Sequence, residues 1–243
     1  MRNLALLLAT AVTSLAATVT VTEVANLTLA ANASTEVFDK AAKVFLAQPG
    51  AVKFRSSRLV ENSDSFRLFV DWETIEASHA FAKTKAYKHL QKEIQHVLAK
   101  DPVYYHVAFE PSPPVVFDNY EGKGESPFTE FLNFFFPGGD GYNSTREANV
   151  TETMTAILEK YAPTADGFTG HTALGWGLDE IAYMGAQRRV FAIGVGWESV
   201  EAHETWEKTP AYAEFLPQLL GLDSLIGIEM RHVSNKIVKK AEA

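Results

Sequence analysis

The sequence predicts an α+β fold built from two consecutive copies of one βαββαβ unit. Three observations carry this expectation. Residues 72–90, WETIEASHAFAKTKAYKHL, recur as residues 197–215, WESVEAHETWEKTPAYAEF, at a constant offset of 125 without a gap. Eight of the nineteen positions are identical, among them Trp72/Trp197, Glu73/Glu198, Ala77/Ala202 and Tyr87/Tyr212. A second match pairs TEVANLTL at 22–29 with TEFLNFFF at 129–136, including Thr22/Thr129, Glu23/Glu130 and Asn26/Asn133. Third, the strand and helix patterns around each copy follow the ferredoxin-like order β-α-β-β-α-β. A repeat of domain size means a duplicated small domain rather than a solenoid.

In the first copy, the Val- and Thr-rich alternation at 19–29 predicts a strand. Ser34 or Thr35 then caps a helix running to Leu46, and Gln48-Pro49-Gly50 stops it. Residues 51–60 and 66–72 read as two strands around the turn Asn62–Ser65. Phe66, Leu68, Val70 and Trp72 fall on one face of the second of these. The repeated stretch follows as a helix. Thr209-Pro210 interrupts it in the second copy, and proline belongs at the start of a helix rather than inside one. The element is therefore two helices with a corner, and the first copy should bend near Thr84-Lys85. A strand at 103–110 completes the first unit.

Residues 111–127 read as a Pro/Gly-rich linker, stiff and extended at its start. The second copy repeats the order with a strand at 129–136 and a loop-like insertion at 138–149. A helix from Thr151 to Tyr161 follows, then strands at 168–176, 188–197 and 226–233 around the second pair of helices. The expected boundaries are a signal peptide at 1–17, domains at 18–110 and 128–235 joined by the linker, and a frayed polar tail at 236–243.

The chain has 243 residues, 47% of them hydrophobic, which suits two units of about a hundred residues each. The net charge of −8 argues against a nucleic-acid partner. There is no cysteine, which excludes disulfides, thiol catalysis and cysteine-held metal clusters. The N-terminus, with Arg2, an apolar run from Leu4 to Val12 and Ser14-Leu15-Ala16, has the pattern of a cleavable secretory signal. The run is too short to span a membrane, and no membrane partner is expected. Asn26, Asn32, Asn143 and Asn149 open Asn-x-Ser/Thr sequons. Asn143, Asn149 and Asn32 are the candidate glycan sites, while Asn26 sits inside a predicted strand.

The motif Trp-Glu-[Ser/Thr]-[Ile/Val]-Glu-Ala, followed by Lys-Thr-x-Ala-Tyr, resembles the antibiotic biosynthesis monooxygenase-like domains of the dimeric α+β barrel superfamily. The resemblance covers nearly the whole chain after the signal segment, as two copies. It implies that the open sheets pair into a barrel, here within one chain. It also implies a pocket in each half between sheet and bent helix, with Trp72 and Trp197 on its wall. Family members include cofactor-independent oxygenases of phenolic polyketides, haem-degrading enzymes, isomerases and decarboxylases. Some of the oxygenases carry an Asn four residues before this Trp, where this chain has Leu68 and Ile193.

The candidate chemistry is a cofactor-independent oxidation, isomerisation or cyclisation of an aromatic or polyketide-like molecule through an enolate-like intermediate. Such a reaction needs a dry pocket, a base and an oxyanion donor. His171 and His203 are the candidate bases and Asn133 the candidate donor. Trp197, Trp176, Trp206, Tyr212 and His232 in the second half, with Trp72, His79 and Asn26 in the first, are candidate substrate contacts. A mid-strand Asn needs a partner for its amide, so Asn26 and Asn133 either bond a neighbouring loop or the other half, or line a pocket and bind a carbonyl or enolate oxygen. The Gly-rich strands of the second half are expected to leave space beside its sheet. No tightly bound metal, flavin or nucleotide is expected: Glu76-x-x-His79 lacks a carboxylate bundle, and Gly194-x-Gly196 lies within a strand. Two alternatives remain open, a secreted non-catalytic module binding an apolar molecule, and a haem protein with His171 or His232 on the iron.

Overall fold

The computed structural model describes residues 20–119, 123–139 and 142–239. The expected signal peptide lies outside them. The N-terminal half contains β1 (Val21–Thr28), α1 (Glu36–Leu46), β2 (Ala51–Arg58), β3 (Ser65–Trp72), α2 (Ile75–Ala82), α3 (Lys85–Gln95) and β4 (Val103–Val107). The C-terminal half contains β5 (Phe128–Pro137), α4 (Ser144–Tyr161), β6 (Phe168–Trp176), β7 (Ile181–Tyr183), β8 (Ala186–Trp197), α5 (Val200–Trp206), α6 (Pro210–Leu220), β9 (Gly227–Val233) and β10 (Lys236–Lys239). The sheet orders are β2-β3-β1-β4 and β6-β8-β5-β9, all antiparallel. These are the same ferredoxin-like order twice.

The corner between the paired helices has one physical cause in both halves. Thr84 and Thr209 leave the helical region and their hydroxyls accept from Tyr87 and Tyr212 N–H, at 3.1 and 3.3 Å. Each therefore caps a new helix. The identical Ala77 and Ala202 also have a common reason. A Cβ on Gly50 would come within 2.7 Å of Ala77 Cβ, and one on Gly167 within 2.6 Å of Ala202 Cβ. Both glycines have positive φ, so the turn into β2 or into β6 presses directly on the first helix of each pair.

Each sheet has helices on one face. Alternation along β3 sends Phe66, Leu68, Val70 and Trp72 to the helix side and Phe69 to the other. The other faces of the two sheets meet. Val24, Phe69 and Tyr105 from the first half form one buried cluster with Phe131, Phe135, Val190 and Ala192 from the second. Strand edges join as well. Glu110 and Leu174 exchange backbone hydrogen bonds at 2.8 and 3.0 Å, and Val60 N–H donates to the His232 carbonyl at 3.1 Å. The two sheets thus close into a barrel within one chain.

Four expectations need correction. The linker is not a spacer: Val115–Phe117 form a 3-10 turn, and Val116 and Phe117 are fully buried in the cluster between the sheets. The Gly-rich strand leaves no open space, because the site of a Cβ on Gly194 lies within 3 Å of both Val116 and Phe117 side chains. The supposed loop through Asn143 and Asn149 is helical from Ser144, since the Asn143 side chain accepts from Arg146 N–H and starts α4 early. The tail is not frayed over Lys236–Lys239, which pair with β2 of the other half. One strand went unread: β7 is three residues long and turns into β8 through Met184-Gly185, both with positive φ. Met-Gly lacks the Asn-Gly signature of such turns.

Candidate active site

Glu23 and Glu130 occupy the same position in the two halves, on the helix side of the first strand of each sheet. Both are buried. Each lies opposite a histidine of the last strand: Glu23 pairs in register with His106, and Glu130 with His232. Each also accepts a hydrogen bond from the repeated tryptophan, Trp72 Nε1 at 3.0 Å and Trp197 Nε1 at 3.2 Å.

From these carboxylates a buried polar chain runs outward in each half. In the N-terminal half Ser78 Oγ lies 3.0 Å from Glu23 Oε2 and 2.9 Å from His106 Nε2. His106 Nδ1 is 2.7 Å from Asp179 Oδ2. In the C-terminal half His203 Nε2 lies 3.4 Å from Glu130 Oε2, and His203 Nδ1 is 3.0 Å from His232 Nε2. His232 Nδ1 then meets Glu61 Oε1 at 2.5 Å. The outer carboxylate is exchanged between halves: Asp179 of the second holds a histidine of the first, and Glu61 of the first holds a histidine of the second. Each also accepts the backbone N–H of that histidine at 2.8 Å.

The electrostatics follow from burial. Burial pushes the Glu130 carboxyl up to about 7, against the pull of His232 and the Trp197 hydrogen bond. Burial, then the neighbouring His232, pushes His203 down to about 4, so its imidazole is neutral near pH 7. Burial likewise raises Glu23. The outer carboxylates go the other way. The His106 hydrogen bond holds Asp179 low, and for Glu61 the hydrogen bonds from His232 outweigh the effect of burial.

Counting protons shows what such a chain can do. With Glu130 protonated, its proton can point to His203, the His203 Nδ1–H to His232, and the His232 Nδ1–H to Glu61. With Glu130 ionised, the first two contacts reverse: His203 Nε2–H points to Glu130 and His232 Nε2–H to His203 Nδ1, while His232 Nδ1–H still points to Glu61. The arrangement thus allows one proton to pass between two buried groups, the Glu130 carboxyl and the His232 ring, without His203 ever holding two. The same count applies to Glu23, Ser78 and His106. The Ser78–His106–Asp179 distances resemble a nucleophilic triad, but Glu23, not Ser78, faces the cavity.

Beside Glu130 lies a cavity of about 380 Å³, mouth included. Its other walls are apolar and include Leu132, Phe134, Met154, Trp197, Trp206 and Phe215. As it stands, its interior has room for little more than one water. The counterpart beside Glu23, about 340 Å³, is walled by Phe45, Leu68, Tyr87 and Tyr104 among others.

The sequence candidates divide accordingly. Trp197 and Trp206 line the cavity, while His203 and His232 stand behind Glu130 in the chain. Tyr212 packs edge-on against Trp206 at 5.0 Å, and burial pushes its hydroxyl up to about 12. Trp72 is fully buried against Phe45 and Phe81. The remaining candidates lie elsewhere. His171 is partly exposed on β6, 3.3 Å from Glu125. Trp176 donates to the Glu147 carbonyl and Thr151 Oγ1, tying β6 to α4. His79 is exposed; at the constant offset Ser78, not His79, stands opposite His203. Asn133 faces the barrel interior, on the opposite side of β5 from Glu130, and accepts from Tyr105 of the other half at 2.9 Å. It is therefore not an oxyanion donor for this cavity. Asn26 also faces the interior and hydrogen-bonds the Tyr105 hydroxyl. For the haem alternative, both ring nitrogens of His232 already have partners. Sequence reasoning missed Glu23, Glu130, Ser78, Glu61 and Asp179. The first two carried a visible signal, an acid repeated in both copies within an apolar strand.

Residues 21–93 match the antibiotic biosynthesis monooxygenase family. That stretch covers most of the N-terminal half, and the C-terminal half repeats its sheet order and its Trp-Glu-[Ser/Thr]-[Ile/Val]-Glu-Ala motif. No curated protein matches the sequence. Among solved structures, an anthrone oxidase-like protein superposes with a TM-score of 0.63 at 13% identity, over 92% of this chain and 94% of its own. A candidate monooxygenase from Fusobacterium nucleatum gives 0.55 at 10% identity, over 93% and 96%. One from Lactobacillus acidophilus NCFM gives 0.52 at 13%, over 91% and 97%. These likenesses establish the two-unit fold along almost the full chain. At family level the domain match supports a small-molecule enzyme.

Proposed function

We propose that the C-terminal cavity binds an aromatic, polyketide-like molecule and that Glu130 is the base of a cofactor-independent oxidation. One observation carries this: among the described residues Glu130 is the single ionisable group on an otherwise apolar wall, and the row His203, His232 and Glu61 runs outward behind it. A base works best with a pKa near the working pH, which burial gives this carboxyl.

Anthrone is the test substrate, chosen from the name of the anthrone oxidase-like structural neighbour. Glu130 takes a proton from the ring methylene, and the electron pair of the broken C–H bond becomes the enolate. Dioxygen is the oxidant: it adds to that carbon, and loss of water leaves the quinone, so that anthrone plus O2 gives anthraquinone plus water. The proton leaves Glu130 through His203 to His232 and Glu61. Because the interior holds little more than one water, entry of a three-ring molecule requires Trp206 and Phe215 to move aside.

Oxygen uptake with anthrone tests the reading. The native chain should accelerate uptake above the spontaneous rate, and Glu130→Gln should lower kcat by at least ~100-fold. A Glu130→Gln enzyme as fast as the native one would overturn the assignment. The nearly filled cavity favours a second reading, a binding module without turnover. Saturable anthrone binding with no oxygen uptake would select it. We further propose that the chain is exported and glycosylated at Asn143, Asn149 or Asn32, on the N-terminal pattern and the sequons. The intact mass from the native host checks this, and a full-length unmodified mass would reject it.

A further inference from the structure

We propose that the polar cavity at one end of the barrel interior, walled by Arg67, Asn26, Arg231 and Glu229, binds a small oxyanion that also carries a hydroxyl, such as hydrogen phosphate or a hydroxycarboxylate. It lies on the opposite sheet face from Glu130, so it stands independently of the function proposed above.

Two buried arginines on the interior face of the first sheet make the case by contrast. Arg55, fully buried, is held by Asp71 at 2.9 Å and Asp118 at 2.7 Å. Arg67 is 8% exposed, yet among the described residues no carboxylate lies within 4 Å of it. Its one hydrogen bond is a long 3.4 Å contact to the adjacent Phe66 carbonyl, and its Nε–H is buried without a partner. Removing one guanidinium from water without an anion costs several kcal/mol. Burial accordingly lowers the Arg67 pKa.

What faces Arg67 is space. The cavity measures about 700 Å³ with its mouth and has room for several waters. Arg231 and Lys100 add positive charge to its wall, and Glu229 and Asp101 add negative charge. The cations outnumber the carboxylates, so a single anion balances the wall. A guanidinium fork suits a planar carboxylate or a phosphate. Asn26, the register partner of Arg67 across β1 and β3, supplies the second requirement. Its side-chain oxygen is buried without a donor. A bare anion cannot satisfy that oxygen, but a ligand hydroxyl can, and Glu229 is a second acceptor on the wall. Charge recognition by Arg67 and hydroxyl recognition by Asn26 together select the ligand class.

Titration calorimetry of the full chain at low ionic strength, with sodium phosphate in one arm and sodium glycolate in the other, tests the site. Saturable 1:1 binding is expected in at least one arm, and the arm that binds tells phosphate from carboxylate. Arg67→Gln should weaken it at least tenfold. Asn26→Asp places a carboxylate next to Arg67, so it should abolish binding while raising Tm. This second variant carries the test if Arg67→Gln does not fold. Absence of saturation in both arms overturns the proposal, and so does unchanged affinity in either folded variant.

Discussion

The buried chain has Ser78 as its middle link in the N-terminal half and His203 in the C-terminal half, at the same offset as Trp72 and Trp197. Everything around the two is shared: the strand carboxylate, the tryptophan that donates to it, the last-strand histidine, and a carboxylate lent by the other half. The cavities differ with them. Around Glu23 the wall also carries Tyr87, Gln91 and Tyr104, whereas around Glu130 no other polar residue among the described ones lines it. A duplicated scaffold can thus keep its wiring and diverge at one link and one wall. The exchanged carboxylates also mean that neither half completes its own chain.

The sharpest way to break this comparison is to remove each carboxylate. Glu130→Gln should cost anthrone turnover at least ~100-fold and Glu23→Gln less than about threefold, read from steady-state kcat. Equal losses would make the two cavities equivalent.

Stability should move in the opposite direction at Glu130. Its folded pKa is raised from 4.5 to about 7, so its contribution is fully present below pH 4.5 and is lost as pH rises through 7. At roughly 1.4 kcal/mol per pKa unit the loss amounts to about 3 kcal/mol. Glu130→Gln escapes it, and urea unfolding at pH 8 should show the variant more stable than the native chain by that order. His203 has the reverse sign. Its folded pKa is depressed from 6.5 to about 4, so its contribution is present above pH 6.5 and lost as pH falls toward 4. Glu130→Gln should therefore retain an acid-side loss and lack the neutral-side one.

Exchanging the middle link sharpens the comparison further. His203→Ser gives the C-terminal half the N-terminal link. It should reduce kcat by about tenfold and change its pH profile, because a hydroxyl relays a proton over a shorter reach than an imidazole. A profile identical to the native one would make His203 a packing residue. The smallest expected effect is a matched pair: Thr84→Ala and Thr209→Ala should each cost about 1 kcal/mol in chemical unfolding. A clear inequality would show that the two helix corners are not built alike.

How much was legible in advance differs by element. The repeat revealed both units, and Pro210 located the helix corner in the second copy and, by equivalence, in the first. The face pattern of β3 was correct because a half-buried strand alternates. The burial of the linker was not legible because composition reports stiffness, not burial: Phe117 stacks on Phe69 at 4.7 Å, and Val116 and Phe117 fill the space beside Gly194. Asn133 and Glu130 sit three residues apart on one strand, so they face opposite sides; the reading favoured the amide, and the cavity has the carboxyl.

The sequence by itself determined that two like units exist, the order of the four main strands in each, and which tryptophans and carboxylates repeat. Local propensity and periodicity suffice for that, since they act within a few residues. Only the tertiary structure decided which groups titrate together. Glu61 meets His232, and Asp179 meets His106, across 171 and 73 residues of chain. Such contacts arise when two sheets close on one another, and no local pattern encodes them. The pKa of Glu130 has the same origin, because desolvation is a property of the packed whole.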